Sequence, residues 1–247
     1  MLKSIGREIN RLKISAIIAL ALGIVISIAV TVYWSHSMEF LFKIEMWEMG
    51  TEWVVFLLPL FVSIPFCYEF FFEVKDGFLK NVCNRTHIKK YLQIKYFSGA
   101  ICSFVTVFLI LFTSLIVALY LLDINFISTN MTNVDFVFAT FRNYHPLLYG
   151  TLLSLWTALV GVIFFTMTYF LALVTSNIFI ALTGAFVYFI VENFVLAILS
   201  VPEFRLVSTV DPTSVTSFTP LTGLVGVALA SFCLIALILF SRKKEIL

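Results

Sequence analysis

Glu192 and Asn193 raise the first chemical question in this chain, because they interrupt an apolar run extending from residue 177 to 199. An ionisable group at such depth is costly to bury and marks a candidate path for a substrate or ion. The competing reading is structural: a hydrogen bond to a neighbouring helix, or a side chain reaching for the polar boundary. A second concentration of chemistry lies in the stretch EFFFEVKDGFLKNVCNRTHIKK, residues 69–90. There Glu69, Glu73 and Asp76 precede Gly77, and basic residues follow. The other reactive side chains do not converge. His36, His87 and His145 stand in three separate polar stretches, with no H-E-x-x-H pattern. Cys67, Cys102 and Cys233 lie in apolar runs and Cys83 in a polar one, with no C-x-x-C pair, so they read as small hydrophobes. No G-x-x-x-x-G-K-[ST] loop is present to cradle a nucleotide phosphate. Any driven work must therefore draw on a partner or an ion gradient.

The elements that must position these residues follow from composition. The 247 residues are 61% hydrophobic and 12% charged, with a mean hydropathy of +1.06. A soluble domain of this size is about half apolar and about a quarter charged, so the bias is that of a polytopic membrane protein. Six apolar segments, at about 14–34, 53–72, 96–122, 147–175, 177–199 and 220–240, each supply the ~20 residues that a helix needs to cross ~30 Å of hydrocarbon. Barrel strands would be about 10 residues of alternating character, so the fold class is all-α, a single transmembrane domain over residues 1–247. The fourth and fifth segments are split at Ser176 and Asn177, since their combined length exceeds one crossing. Pro59 and Pro65 predict a bend in the second span, and Gly161 a tilt or bend in the fourth. The segment 35–49 fits helix and strand equally.

Orientation comes from the basic residues. Thirteen of the sixteen lysines and arginines fall in residues 1–13, 73–95 and 241–247. The positive-inside rule places these segments in the cytoplasm, and six spans then put both termini there. The outer stretches 35–52, 123–146 and 200–219 hold eight of the fourteen acids. The first apolar run is longer than the 7–15 residues of a signal-peptide core, and reads as a retained helix. Before it, Leu2, Ile5, Ile9 and Leu12 share a face opposite Lys3, Arg7 and Arg11, which predicts an amphipathic helix at the membrane interface. The net charge of +2 gives no case for a nucleic-acid partner.

The stretch after the second span carries the most specific pattern. Gly77 permits a sharp turn. Phe78, Leu79, Val82, Cys83 and Thr86 then recur at spacings of three and four on one helical face, with Lys80, Asn81, Asn84 and His87 on the other. By itself this is a short surface helix, equally suited to anchoring on anionic lipid. In order and spacing, Glu73, Gly77, Leu79 and Arg85 resemble the coupling region of the type-2 ABC transporter permeases, with Asn84 where that family often has proline. The ending LFSRKKEIL and the amphipathic N-terminus are also similar to that family. The resemblance implies a six-helix exporter permease in a bacterial plasma membrane, not itself an enzyme and holding no cofactor of its own. A second permease copy or a homologous permease would pair with it. A separate cytoplasmic ATPase subunit would supply ATP and Mg. Glu73 and Gly77 would set the angle of the coupling helix, Phe78 and Leu79 would enter a groove on the ATPase, and Asn81 and Arg85 would flank them. An amphipathic peptide or a lipid-like molecule is the implied cargo. The alternatives are an ATP-independent channel or immunity protein, and an intramembrane enzyme. The last would need catalytic groups converging within the spans, where no histidine lies.

The charge asymmetry makes a direct prediction. In a background lacking the native cysteines, Thr132→Cys reacts with an impermeant thiol reagent in intact cells, and Asn84→Cys reacts only after the cells are opened. Labelling of Asn84→Cys from outside overturns the orientation.

Overall fold

The computed structural model describes residues 2–75, 88–123, 138–175, 177–211 and 219–243. These residues are helical almost throughout, with no β-strand among them. The long helices are α1 (Leu2–Ser37), α2 (Lys43–Phe56), α3 (Leu58–Lys75) and α4 (Ile88–Ile116), the last continued by a π-helical turn at Val117–Leu121. After the short α5 (Ala139–Tyr144) come α6 (Pro146–Val174) and α7 (Ile178–Ile198). A 3-10 turn at Pro202–Phe204 and the single turn of α8 (Leu206–Val210) lead to α9 (Pro220–Lys243).

Four stretches are long and apolar enough to cross a bilayer alone: 4–37, 90–121, 146–174 and 178–198. The pair α2 and α3 passes the same test only together, across a 51° bend. In α9 the described apolar stretch is shorter, Leu221–Ile235. The protein is thus an all-α membrane protein. α6 lies at the centre, packed against α3, α4, α7 and α9.

Side-chain contacts fix the direction of each helix. Ser98 lies against Ile5, and Ser27 against Ser114, so α1 and α4 run parallel. Tyr169 reaches Leu92 near the start of α4, and Gly150 lies on Leu115 near its end, so α6 runs opposite to α4. One end of the bundle consequently gathers the starts of α1 and α4 with the ends of α3 and α6. The other gathers α2, α5, the 201–211 segment and the start of α9.

Several boundaries differ from the sequence reading, each for a physical reason. The amphipathic N-terminus is not a separate interfacial helix. It runs without a break into the first span, giving 36 residues, about 54 Å at ~1.5 Å per residue. No glycine, proline or capping residue separates them, and the start of α1 packs along α4 instead of turning aside. In the segment 35–49, residues 35–37 finish α1 and residues from Lys43 onward form α2, whose first turn Glu45 closes by accepting the Leu41 and Phe42 N–H groups at 2.9 and 3.3 Å. The second span therefore begins inside a helix that started at Lys43. The bend falls at Leu57, just ahead of Pro59, which lacks the N–H that would bond Val55 O and whose ring crowds that carbonyl. Pro65 stays within α3. α6 continues through Gly161, which lies beside Val62 and Val107 with room for a methyl group. The division between α6 and α7 is real: Asn177 Oδ1 accepts the Phe179 N–H at 2.9 Å, an N-cap.

The helices meet through small residues and polar pairs. Ser63 faces Thr168 at 2.7 Å, and Trp47 Nε1 donates to Leu111 O at 3.2 Å. The rings of Phe66, Phe70, Phe165 and Tyr169 stack and edge across α3 and α6 at about 5 Å. One close backbone approach is that of α1 to α2. A Cβ on Gly50 would stand 2.9 Å from Thr31 Cα and overlap the Thr31 hydroxyl. Because backbone cannot yield as a side chain can, Gly50→Ala lowers stability by about 1–3 kcal/mol, each kcal/mol being about 2–4 °C of Tm for a chain this long. Gly6→Ala, with nothing within 4 Å, meets no clash and raises stability by up to about 1 kcal/mol, the helix-propensity difference between the two residues. Thermal unfolding of both variants in nanodiscs checks the contrast.

Candidate functional site

Glu73 is the member of the expected coupling set that lies within the described residues. Gly77, Phe78, Leu79, Asn81 and Arg85 lie outside them. Glu73 stands two residues before the last described residue of α3. Cations from two other helices hold it there. Lys95 Nζ of α4 donates to Glu73 Oε1 at 2.9 Å, Arg11 of α1 donates to the same oxygen, and Tyr91 OH of α4 donates to Oε2 at 2.7 Å. Lys95 is 1% exposed and also contacts Glu8 Oε2 of α1 at 2.7 Å. That second contact is an ion pair whose angle is not that of a hydrogen bond. Two carboxylates and two cations thus close a neutral set across α1, α3 and α4. It sits where α3 leaves and α4 re-enters the described chain, on both sides of residues 76–87.

A second ionic cluster lies at the opposite end. Arg142 of α5 reaches α2, where its Nε donates to Glu48 Oε1 at 3.0 Å and a terminal nitrogen pairs with Glu48 Oε2. Its other terminal nitrogen donates to Glu45 Oε1 at 3.2 Å. Burial works against the charge of Arg142, but the Glu48 and Glu45 carboxylates outweigh it and hold the guanidinium above its ordinary range. Lys43 Nζ donates to Leu119 O and Leu122 O, closing the frayed carbonyl end of the π-helical turn. α2 is in this way fastened to both α4 and α5.

Glu192 and Asn193 prove to be separate from both clusters. The Glu192 carboxylate accepts the Leu206 N–H at 3.2 and 3.3 Å and so caps α8. Asn193 Nδ2 donates to Phe189 O within its own helix at 2.7 Å. Among the described residues no group of three His, Cys, Asp or Glu side chains stands close enough to hold a metal ion.

Sequence reasoning missed the partners. Lys95 and Arg142 were legible only as contributors to a charge count, Arg11 as part of the polar face of the N-terminal helix, and Glu8, Glu45 and Glu48 as unassigned acids. The signal available was Lys95 itself, seven residues beyond the start of α4 and immediately before an apolar run.

Removing one partner of a buried ion pair strands the other and costs about 3–5 kcal/mol, whereas removing both restores much of it. Glu73→Leu therefore lowers resistance to SDS unfolding by about that amount, and Lys95→Met added to it regains more than half. Additive losses in this cycle would show that the two side chains are not coupled. Comparison with protein-family models, curated sequences and solved structures returns no match, so the functional reading rests on the residues and geometry described above.

Proposed function

We propose that the chain is the membrane permease subunit of an ATP-driven exporter of the ABC type. It has six spans, counting α2 with α3 as one and α9 as the last, and both termini are cytoplasmic. It lies in the bacterial plasma membrane, pairs with a second copy or a homologous permease, and docks a separate cytoplasmic ATPase subunit that holds ATP and Mg. The cargo is an amphipathic peptide or lipid-like molecule.

The observation that carries this reading is the closed ionic set around Glu73 and Lys95. A loop that serves only to rest on lipid needs basic charge and apolar surface, and nothing that ties its two ends together. Here the helix entering residues 76–87 and the helix leaving them are joined by a buried ion pair and a tyrosine hydroxyl, and both are joined to α1. Such a mount passes a force applied at the loop into three helices at once. The sequence supports the same reading at Gly77, Phe78 and Leu79, where a turn and two adjacent apolar residues offer anchors for a groove. Docking energy usually resides in a few such buried anchors.

Phe78→Ala with Leu79→Ala removes the anchors and leaves the mount intact. The double variant remains folded in the membrane, loses co-purification of the ATPase at least tenfold and loses transport. Lys89→Gln with Lys90→Gln, which lowers basic charge beside the same loop, keeps the ATPase bound. The opposite pattern, with release by the lysine pair alone, assigns the loop to lipid anchoring.

A further inference from the structure

We propose that the open groove between α1 and α4, near their basic ends, seats one anionic phospholipid, with its phosphate on Lys13 and Asn10 and one acyl chain lying between the two helices. This site stands whether or not the chain works as a permease. The groove measures about 430 Å³, within the 300–1,000 Å³ common for small-ligand sites. It has a polar end and an apolar end. Gly6, Asn10 and Lys13 of α1 form the first. Ile17 and Leu20 of α1, with Ile101, Val105 and Leu109 of α4, form the second. Beyond Lys13, α1 carries no Asp, Glu, Lys or Arg, and α4 carries none beyond Lys95. The polar-to-apolar order along the groove is therefore that of a lipid entering one leaflet from its head.

Length and charge select the occupant. From Asn10 to Leu20 the helix rises about 15 Å at ~1.5 Å per residue, half of a ~30 Å hydrocarbon core. Ile17, Ile101 and Val105 are about half exposed, so the groove lies open to an acyl chain along this length. Helical side chains lean toward the start of their helix. Lys13 thus carries its ammonium toward the polar boundary while its methylenes cover apolar surface. At Gly6 a Cβ would meet nothing within 4 Å, which leaves room for a head group. Lys13 is exposed and makes no ion pair among the described residues. No aspartate or glutamate lines the groove. A zwitterionic head would bring a cation of its own with no carboxylate to receive it. A phosphate without an attached cation matches Lys13 and accepts the Asn10 amide N–H.

The test is native mass spectrometry of the full chain in detergent, titrated with dioleoyl-phosphatidylglycerol. Dioleoyl-phosphatidylcholine is the chain-matched zwitterion, and glycerol phosphate is the head without chains. The first phosphatidylglycerol binds about fivefold more tightly than the first phosphatidylcholine, and glycerol phosphate does not compete. Lys13→Gln removes that preference, a loss of about fivefold, which corresponds to the ~1 kcal/mol of one basic residue near anionic lipid. Lys90→Gln lowers the net charge equally, but Lys90 lines a different cleft, and this variant keeps the preference. Ala16→Phe fills the groove and weakens the binding of both lipids. Equal affinity for the two lipids, an equal effect of the two lysine changes, or competition by glycerol phosphate overturns the proposal. So does Ala16→Phe if it lowers self-association and leaves lipid affinity unchanged, which assigns the groove to a second copy of the chain.

Discussion

Lys95 holds an ammonium group almost wholly out of water, and much of the basic end of the molecule depends on how that charge is met. An isolated buried ammonium is untenable, and one carboxylate already shared with Arg11 does not balance it. Two helices supply the answer. Glu73 approaches from α3 and Glu8 from α1, with Arg11 and Tyr91 completing the set. Because each partner belongs to a different element, satisfying Lys95 fixes the axial register of α1, α3 and α4 against one another. A slide of one residue along any of the three would move its charge by about 1.5 Å and break at least one contact. The amphipathic start of α1 therefore has no freedom to lie flat at an interface: its acid and its arginine are engaged in the bundle.

Elsewhere in the bundle the forces are weaker and more numerous. Lipid tails are as apolar as leucine, so helix association in a bilayer draws on close packing and interhelical hydrogen bonds more than on burial. Ser27 with Ser114, Ser63 with Thr168 and Tyr96 with Thr166 each supply one such bond. Gly50 against Thr31 and Gly99 against Phe66 and Phe165 supply the close approaches. Trp47 and Trp156 contribute in another way, giving their indole N–H groups to backbone carbonyls of α4 and α8. These contacts are spread along the helices, which is why no single one of them dominates the middle of the fold as Lys95 dominates its end.

What the sequence made legible were properties carried by runs of residues: helical class, the approximate position of each apolar segment, and the division at Asn177. Those signals are sums over about 20 residues and survive local exceptions. The features that escaped it depend on pairs distant in the chain. Glu73 was visible as part of a pattern, but its partners lie 62 and 22 residues away. Arg142 was counted as one outer charge among few, although it is the link between α5 and α2 across 94 residues. Glu192 was the conspicuous acid. Its use as a cap for α8 could not be read, because α8 is a single turn that no periodicity announces. The start of α2 was ambiguous for a related reason, since its fourteen residues are too mixed to favour helix until Glu45 is seen to turn back on Leu41 and Phe42.

The two ends of the molecule are built on opposite electrostatic terms, and α2 and α3 join them. At the basic end, charges are matched and sealed, so α3 cannot shift there without α1 and α4. At the acidic end, Arg142 is shared between Glu45 and Glu48, and Glu48, Glu52 and Asp211 lie in the wall of a mostly apolar cavity. The bend at Leu57 lies between the two. Above it, Trp47, Thr51, Trp53 and Phe56 all belong to α2, which lines much of a cavity of about 410 Å³. Below it, Phe66 and Phe70 lock α3 against α6. A rotation of α3 imposed from the basic end meets stiff packing until Leu57, where the helical hydrogen-bond ladder is already interrupted by Pro59. The least costly response is a change of angle at that break, and α2 then carries its wall of the cavity with it. In the proposed permease, this is the route by which force at residues 76–87 alters the opposite face without any rearrangement of the bundle core.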